Sequence, residues 1–417
     1  MNRFSHFAAV IGIDWADKKH DLCLKLPDSD DLEFSVLTHS AEAIEQWANG
    51  LRVRFGGQSI AICIESRKVP VIHALLKFDF LTLFPVNPQT LCRYRRALQP
   101  SRAKDDPTDA RLLLDLVMRH PDQFPAWEPE SPDIRALAQL VEMRRTLVAD
   151  RVRCTNRLTA ALKLYYPQAL DWFEDKDTML FCNFIERWPT LDAAQRARES
   201  TLRTFFSRHN ARSRALIDRR IAGIQSAIPL TLDTGVIAPN RLLVEMLIKQ
   251  LALLLGQIKR FDAEIAERFR GMDDAVLFAP LPGAGKQLAP RLLTVFGEDR
   301  NRFPSADNLS CYIGISPVTE RSGNKSWVHW RYSCPKFLRQ SIVEWVNETI
   351  RFSFWARAFY DRQREVGKSH QMAIRSLAFK WIRILWRCWQ DRKPYDEATY
   401  LMALKRKGSP LVQQLGK

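Results

Sequence analysis

The chain has 417 residues, 46% of them hydrophobic, with a formal net charge of +16 and a pI near 9.6. That length predicts two or three domains with cores of their own, and the composition excludes a disordered chain. The positive excess points to a polyanionic partner, nucleic acid before a membrane surface, and no apolar run is long enough to span a bilayer.

The N-terminal stretch "MNRFSHFAAVIGIDWADKKH" has a short apolar run, but charges follow at once and no small-residue cleavage site appears. It reads as a buried strand rather than a signal peptide. "HDLCLKLP" and "LEFSVLTHS" read as two further strands of a meander. "SAEAIEQWANGLRVRF" has helical spacing, with Ser40 as N-cap and Glu42 and Glu45 in or near the first turns. "SIAICIES" is a strand, "VPVIHALLKF" a helix and "LTLFPVNP" a strand. The order βββαβαβ, followed by helical sequence, implies a partly parallel sheet with helices packed on it.

From about residue 130 the pattern becomes helical. Ile134, Leu137, Val141, Val148, Val152, Leu158 and Leu162 mark one long helix that ends at Pro167. A second runs from Arg241 to Arg270, where Leu251, Leu254, Ile258, Phe261 and Ile265 alternate by three and four, the coiled-coil spacing. An antiparallel hairpin, an oligomerisation stalk and an ordinary bundle all fit this pattern. Residues 168–240 between them are rich in aromatics and Arg and read as a helical insertion. "AVLFAPLPGAGKQLAPRLLTVFG" then reads as helix, Gly-rich turn, helix. The expected domains are 1–128, 129–271 and 272–417. The eight scattered cysteines form no CxxC pair and argue for reduced thiols in a cytosolic protein, against structural zinc.

Two apolar strands each end in one acid, Asp14 in "IGIDWA" and Glu65 in "AICIESR". Burying a carboxylate unpaired is costly. On neighbouring strands the two would emerge at one sheet edge. Asp106 and Asp109 are spaced i,i+3 and share a helix face. Four such oxygen donors suit a pair of hard cations, Mg2+ or Mn2+, as phosphoryl transfer uses them. Taken singly, Asp14 reads equally as a turn residue. Asp105 or Asp106 reads equally as a cap for a helix with Pro107 in its first turn.

"IGIDWADKKHDLCL", "ICIES", "FPVNP" and "KDDPTDARLL" resemble the RuvC-like domain of the DEDD transposases, the insertion-sequence recombinases of the IS one-ten / IS eleven-eleven family. The family's acids lie in patterns like GIDxAK, IExTG and KTDxxDA, which fall here on Asp14, Glu65, Asp106 and Asp109. Asp105 stands where the family has a small or polar residue. Ser66, Arg67 and Lys68 follow Glu65 where it has a small residue, Thr and Gly. The stretch from "LPGAGKQLAP" to "ERSGNKS" resembles the family's C-terminal domain. Read from the residues alone, PGAG is either a tight packing turn or a helix-hairpin-helix whose backbone N–H groups hold a DNA phosphate. It is not a Walker A loop, because the spacing to Lys286 is wrong and no Ser or Thr follows.

Ser322, in "TERSGNKSWVHWRYS", would by composition be a turn serine. The resemblance makes it the nucleophile that attacks the DNA backbone, with Arg321, Lys325 and Arg331 near it in sequence to stabilise charge. In "RYSCPKFLRQSI", Ser333 and Leu338-Arg339 match the family's SKxGxxxLRxxL, and the lysine and glycine between them do not. Gly283, Gly285, Lys286, Arg321, Lys325, Arg331, Lys336 and Arg339 are the expected nucleic-acid contacts. Basic and aromatic residues interleave in "RCTNRLTAALKLYY", "FKWIRILWRCW" and "ERWPTLDAAQRARESTLRTFFSRH"; the aromatics are either base-stacking surfaces or core.

The resemblance implies a transposase acting on donor and target DNA with a structured bridge RNA. It further implies dimers that assemble to tetramers through the long helices, in the cytoplasm of a bacterium or archaeon near the nucleoid. A RuvC-like nuclease or junction resolvase without a covalent intermediate, and a non-catalytic nucleic-acid-binding protein on a decayed nuclease fold, are the other readings. The expected fold is α/β plus all-α: an RNase H/RuvC-like sheet, long coiled-coil-like helices, and a helical C-terminal domain with a helix-hairpin-helix.

Overall fold

The computed structural model describes residues 4–66, 69–98, 105–209, 213–409 and 411; Arg67 and Lys68 lie outside them. The chain divides into two compact units, Met1–Pro129 and Glu130–Lys417.

In the first unit β1 (Ala9–Trp15), β2 (Lys19–Lys25) and β3 (Leu32–Thr38) form an antiparallel meander. α1 (Ala41–Arg54) leads to β4 (Ile60–Glu65), and α2 (Pro70–Leu75) to β5 (Leu81–Val86). The sheet order is β3-β2-β1-β4-β5, with β4 parallel to β1 and β5 parallel to β4. Ser40 caps α1 as expected, its side chain accepting from the Ala43 amide at 3.1 Å. The central strands are apolar on both faces because both are covered. Ile11, Ile13, Ile62 and Ile64 pack against α1 and α2. Val10, Cys23, Ala61, Cys63 and Phe84 face α3 (Pro88–Leu98) and α4 (Asp106–Arg119).

The second unit is built on α5 (Pro132–Tyr165) and α11 (Thr234–Arg270). They run antiparallel: Arg268 lies 3.8 Å from Asp133, Arg144 reaches Asp262, and the Cys154 thiol donates to the Leu247 carbonyl at 3.4 Å. Leu251, Ile258 and Ile265 are buried at seven-residue spacing, and Leu254 and Phe261 between them are half-buried. α11 starts seven residues before the expected Arg241, with Asp233 capping it at the Gly235 amide. Pro239 and the half-buried Val236 and Ile237 hide the apolar period in these first turns.

Between these helices lie α6 (Gln168–Trp172), α7 (Met179–Arg187), α8 (Leu191–Gln195), α9 (Glu199–Arg208) and α10 (Arg214–Ser226). Their aromatics are core. Phe173, Phe181, Phe184, Trp188, Phe205 and Phe206 are buried together. Arg220 lies over Phe173 at 4.7 Å and donates to the Trp172 carbonyl at 2.7 Å. Tyr165, Tyr166, Trp381 and Trp389 are likewise buried, so these rings have no free face for a nucleobase.

After α11 come α12 (Ala275–Phe278), α13 (Gly285–Phe296) and α14 (Ala306–Tyr312). The hairpin β6 (Val318–Ser322) and β7 (Lys325–His329) follows, then α15 (Lys336–Phe352), α16 (Phe354–Glu365), α17 (His370–Gln390) and α18 (Glu397–Arg406). The boundary expected at 271/272 crosses one continuous apolar core. Ile134 and Leu137 of α5 and Ile265 and Phe269 of α11 pack in the same cluster as Phe296, Trp345 and Trp381.

Candidate active site

Asp14 is the sixth residue of β1 and Glu65 the last of β4. Ile13 pairs with Ile64 in parallel register, so the two acids emerge side by side at the carboxyl ends of adjacent central strands. Strand alternation puts Asp14 on the same face as Val10 and Gly12, and Glu65 on the same face as Ala61 and Cys63. That is the face α4 covers. α4 comes unusually close there. A Cβ on Gly12 would lie 2.0 Å from the Ala110 carbonyl oxygen, so only glycine lets the helix press onto β1 at this point. The residue before Ala110 is Asp109, which is 2% exposed.

Asp105 occupies the N-cap of α4 and accepts from the Thr108 hydroxyl at 2.9 Å, which leaves Asp106 and Asp109 inside the helix. Asp106 is half-buried. Arg95 of α3 holds Asp109: its Nε lies 2.7 Å from Oδ1, an ion pair whose angle falls short of a hydrogen bond. After Glu65 the backbone turns sharply through Ser66, whose φ of 75° is a left-handed conformation a non-glycine residue rarely takes.

Three further groups around the acids have no signal in the local sequence. Asp21 pairs directly with Asp14 across the β1–β2 ladder, on the same face, at 5% exposure, with Lys19 at 3.6 Å. His20, on the opposite face, is fully buried. Its Nδ1 accepts from the Ala16 amide at 3.2 Å, so Nε2 carries the proton and donates to His39 Nδ1 at 2.9 Å. Burial, then the neighbouring His39, lowers the His20 pKa to about 4 against a weaker pull from Asp21. Arg95 is the third. Its role depends on packing of α3 against α4, which no local pattern shows.

The four acids are hard oxygen donors of the kind Mg2+ or Mn2+ takes. Among the described residues, however, no three His, Cys, Asp or Glu side chains converge at metal-binding distance. At Asp109 the neighbouring positive charge is the Arg95 guanidinium.

In the second unit Ser322 ends β6, paired with Lys325, at the tip of a hairpin turned by Gly323 at φ 55° and Asn324. Ser322, Arg321 and Lys325 are exposed. Arg331 and Arg339 are half-buried and already engaged. Arg331 donates to the Ser316 carbonyl at 3.1 Å, and Arg339 donates to the Arg331 carbonyl at 2.9 Å while lying 4.6 Å from the Trp330 ring. Lys336 is exposed in the first turn of α15. The helix before PGAG, α12, has only four residues. Gly283 (φ 71°) packs against α15, and a Cβ there would lie 2.9 Å from that of Glu348. Trp345 donates to the Pro282 carbonyl at 3.0 Å and locks the turn further. Lys286 and Gly285 open α13, and nothing lies within 4 Å of a Cβ on Gly285.

A family model described as a transposase, the DEDD type of IS110, matches residues 11–167. A second, described as the transposase IS116/IS110/IS902 family, matches residues 275–361. The mini-circle putative transposase for IS117 of Streptomyces coelicolor is 28% identical over 96% of this chain and 97% of its own. An uncharacterized 44.8 kDa protein of insertion element IS116 from Streptomyces clavuligerus is 26% identical over 94% and 97%. A pilin gene-inverting protein of Moraxella lacunata is 29% identical over 30% of this chain and 39% of its own. The chain is thus of the DEDD transposase class, enzymes that cut and transfer DNA strands. Within that class it belongs to the IS116/IS110/IS902 family.

Proposed function

We propose that this transposase moves its insertion sequence through a serine-linked DNA intermediate, with Asp14, Glu65, Asp106 and Asp109 holding Mg2+ or Mn2+ and Ser322 as nucleophile. The observation that carries the reading is the convergence of Asp14 and Glu65 on the sheet face where α4, admitted by Gly12, buries Asp109. A bound divalent cation would stabilise negative charge on the phosphate and its leaving oxygen. Arg95 is paired with Asp109, so a cation bound there would have to displace or share that guanidinium. Ser322 Oγ forms a bond to phosphorus as the bond from phosphorus to a deoxyribose oxygen breaks. The serine proton passes to that leaving hydroxyl or to a base. One phosphate ester replaces another, so rejoining needs no outside energy. Exposure at a hairpin tip suits Ser322 for this, because a duplex must reach it.

The proposed partners are donor and target DNA and a structured bridge RNA, held through Gly283, Gly285, Lys286, Arg321, Lys325, Arg331, Lys336 and Arg339. The charge of +16 supports a nucleic-acid partner. Assembly to dimers and tetramers through the long helices is supported by Leu242, Met246 and Leu253. They are 70%, 47% and 63% exposed and fall on one stripe of α11. No helix of the described residues is long and apolar enough to cross a membrane. A place beside the nucleoid in the cytoplasm goes with this reading.

The test is strand cleavage of DNA carrying the element's ends, with and without divalent cation. Asp14→Asn, Glu65→Gln, Asp106→Asn and Asp109→Asn are each expected to lose metal-dependent cleavage by at least the roughly 10–100-fold that losing an outer partner of a metal ligand costs. Full activity in any of them removes that residue from the site.

A further inference from the structure

A cavity of about 850 Å3 lies in the second unit between the base of the β6–β7 hairpin, α16 and α17. That is within the roughly 300–1,000 Å3 of pockets that hold small ligands. The half-buried rings of Trp330, Phe359 and Phe379 line it, and Lys368, Arg375 and Lys380 stand among them without any acid in the lining. These cations are fixed in place. Arg375 lies 4.3 Å from the Trp330 ring, Lys380 lies 5.0 Å from that of Phe359, and Lys368 donates to Gln363 at 2.5 Å. Lys380 also has its pKa lowered by burial and by the like charges of Arg383 and Arg362, a repulsion that an anion would relieve. Trp345, Trp355 and Trp381 pack on one another in the core, whereas these three half-buried rings line the cavity, Trp330 with Arg339 and Arg375 against it and Phe359 with Lys380.

Planar apolar walls with cations between them match one chemistry, a nucleotide: the base stacks and the phosphate is neutralised. Val328 and His329, also in the lining, belong to the strand that carries Lys325, the partner of Ser322. From Lys325 to Val328 is about 10 Å at the usual strand rise. We propose that the cavity holds one unstacked nucleotide of the DNA strand that Ser322 attacks, its base lodged among Trp330, Phe359 and Phe379 and its phosphate between Lys368, Arg375 and Lys380. The choice of DNA over RNA rests on the proposed role of Ser322; the pocket itself does not.

The experiment uses the full chain, single-stranded DNA oligonucleotides carrying one 5-iodouracil, and RNA oligonucleotides of the same sequence. Ultraviolet crosslinks are mapped by peptide mass spectrometry, and affinities are measured by fluorescence anisotropy. The expected crosslinks fall on Trp330, Phe359 or Phe379. Phe359→Ala is expected to weaken DNA binding about tenfold, within the range for one stacked base. Lys380→Gln, a milder change, is expected to weaken binding and leave the melting temperature near that of the wild type. DNA crosslinks confined to other peptides, or unchanged affinity in both folded variants, would overturn the proposal. Preferential crosslinking of RNA at the three rings would overturn the assignment to DNA. Measurements in Ser322→Ala keep the two readings apart. If the pocket exists and the nucleophile assignment is wrong, crosslinking persists there while the covalent adduct also persists.

Discussion

At Asp109 a guanidinium stands against a carboxylate that is almost wholly buried, and breaking such a pair leaves a charge without compensation. Arg95→Ala is therefore expected to destabilise the first unit by about 3 kcal/mol, in the lower part of the range for buried pairs. If the acids form a cation site, Mg2+ should raise the melting temperature of Arg95→Ala more than that of the wild type, since a cation then replaces the lost charge. Equal shifts in a thermal melt would count against a site at Asp109. His20 gives a second residue-scale prediction. Its neutral form accepts from the Ala16 amide, two residues after Asp14. Its pKa is about 4 in the folded chain and 6.5 unperturbed, so the unfolded chain binds the extra proton between those values. Stability should fall as the pH drops from 6.5 toward 4. The urea midpoint should fall less between pH 6.5 and 5 in His20→Leu than in the wild type. Identical pH slopes would show that His20 does not titrate with unfolding.

At the scale of elements, the approach of α4 to β1 decides whether the acids can meet. Gly12→Ala places a methyl 2.0 Å from the Ala110 oxygen, so strand or helix must move. It is expected to cost about 1–3 kcal/mol, as overpacking does, and to reduce cleavage beyond what lost stability explains. Chemical denaturation and a cleavage assay on the folded fraction measure the two separately. The strands themselves were legible in the sequence, because "AVIGIDW" and "IAICIE" are apolar runs closed by one acid and bounded by turns. The start of α11 was not legible, since Pro239 interrupts its apolar period. The helix before PGAG was legible but its shortness was not: "AVLFAPL" is apolar throughout, and periodicity cannot locate where a buried helix stops.

At the scale of the whole molecule, the positive charge and the interleaved aromatics pulled in different directions. The charge remains the sign of a polyanion partner. Most aromatics in the interleaved segments are core, with Arg220 covering Phe173 and Phe206 from within. Composition cannot separate a ring that faces a neighbour from one that faces a cavity, and only packing shows that Trp330, Phe359 and Phe379 belong to the second kind. For the same reason the placing of Asp14 and Glu65 at the ends of their strands was legible while Arg95, Asp21 and His20 were not. An acid closing an apolar run stands out in sequence, whereas an ion pair or a cross-strand neighbour exists only once distant segments are packed. The acids lie in one unit and Ser322 in the other, so the chemistry proposed here needs both. Trapping the protein on DNA bearing the element's ends, with Mg2+ present, and resolving it under denaturing conditions tests this most directly. The expected result is a covalent adduct whose phosphopeptide carries Ser322, absent in Ser322→Ala and in Asp14→Asn. An adduct that persists in Ser322→Ala, or strand transfer with no adduct at all, would contradict it.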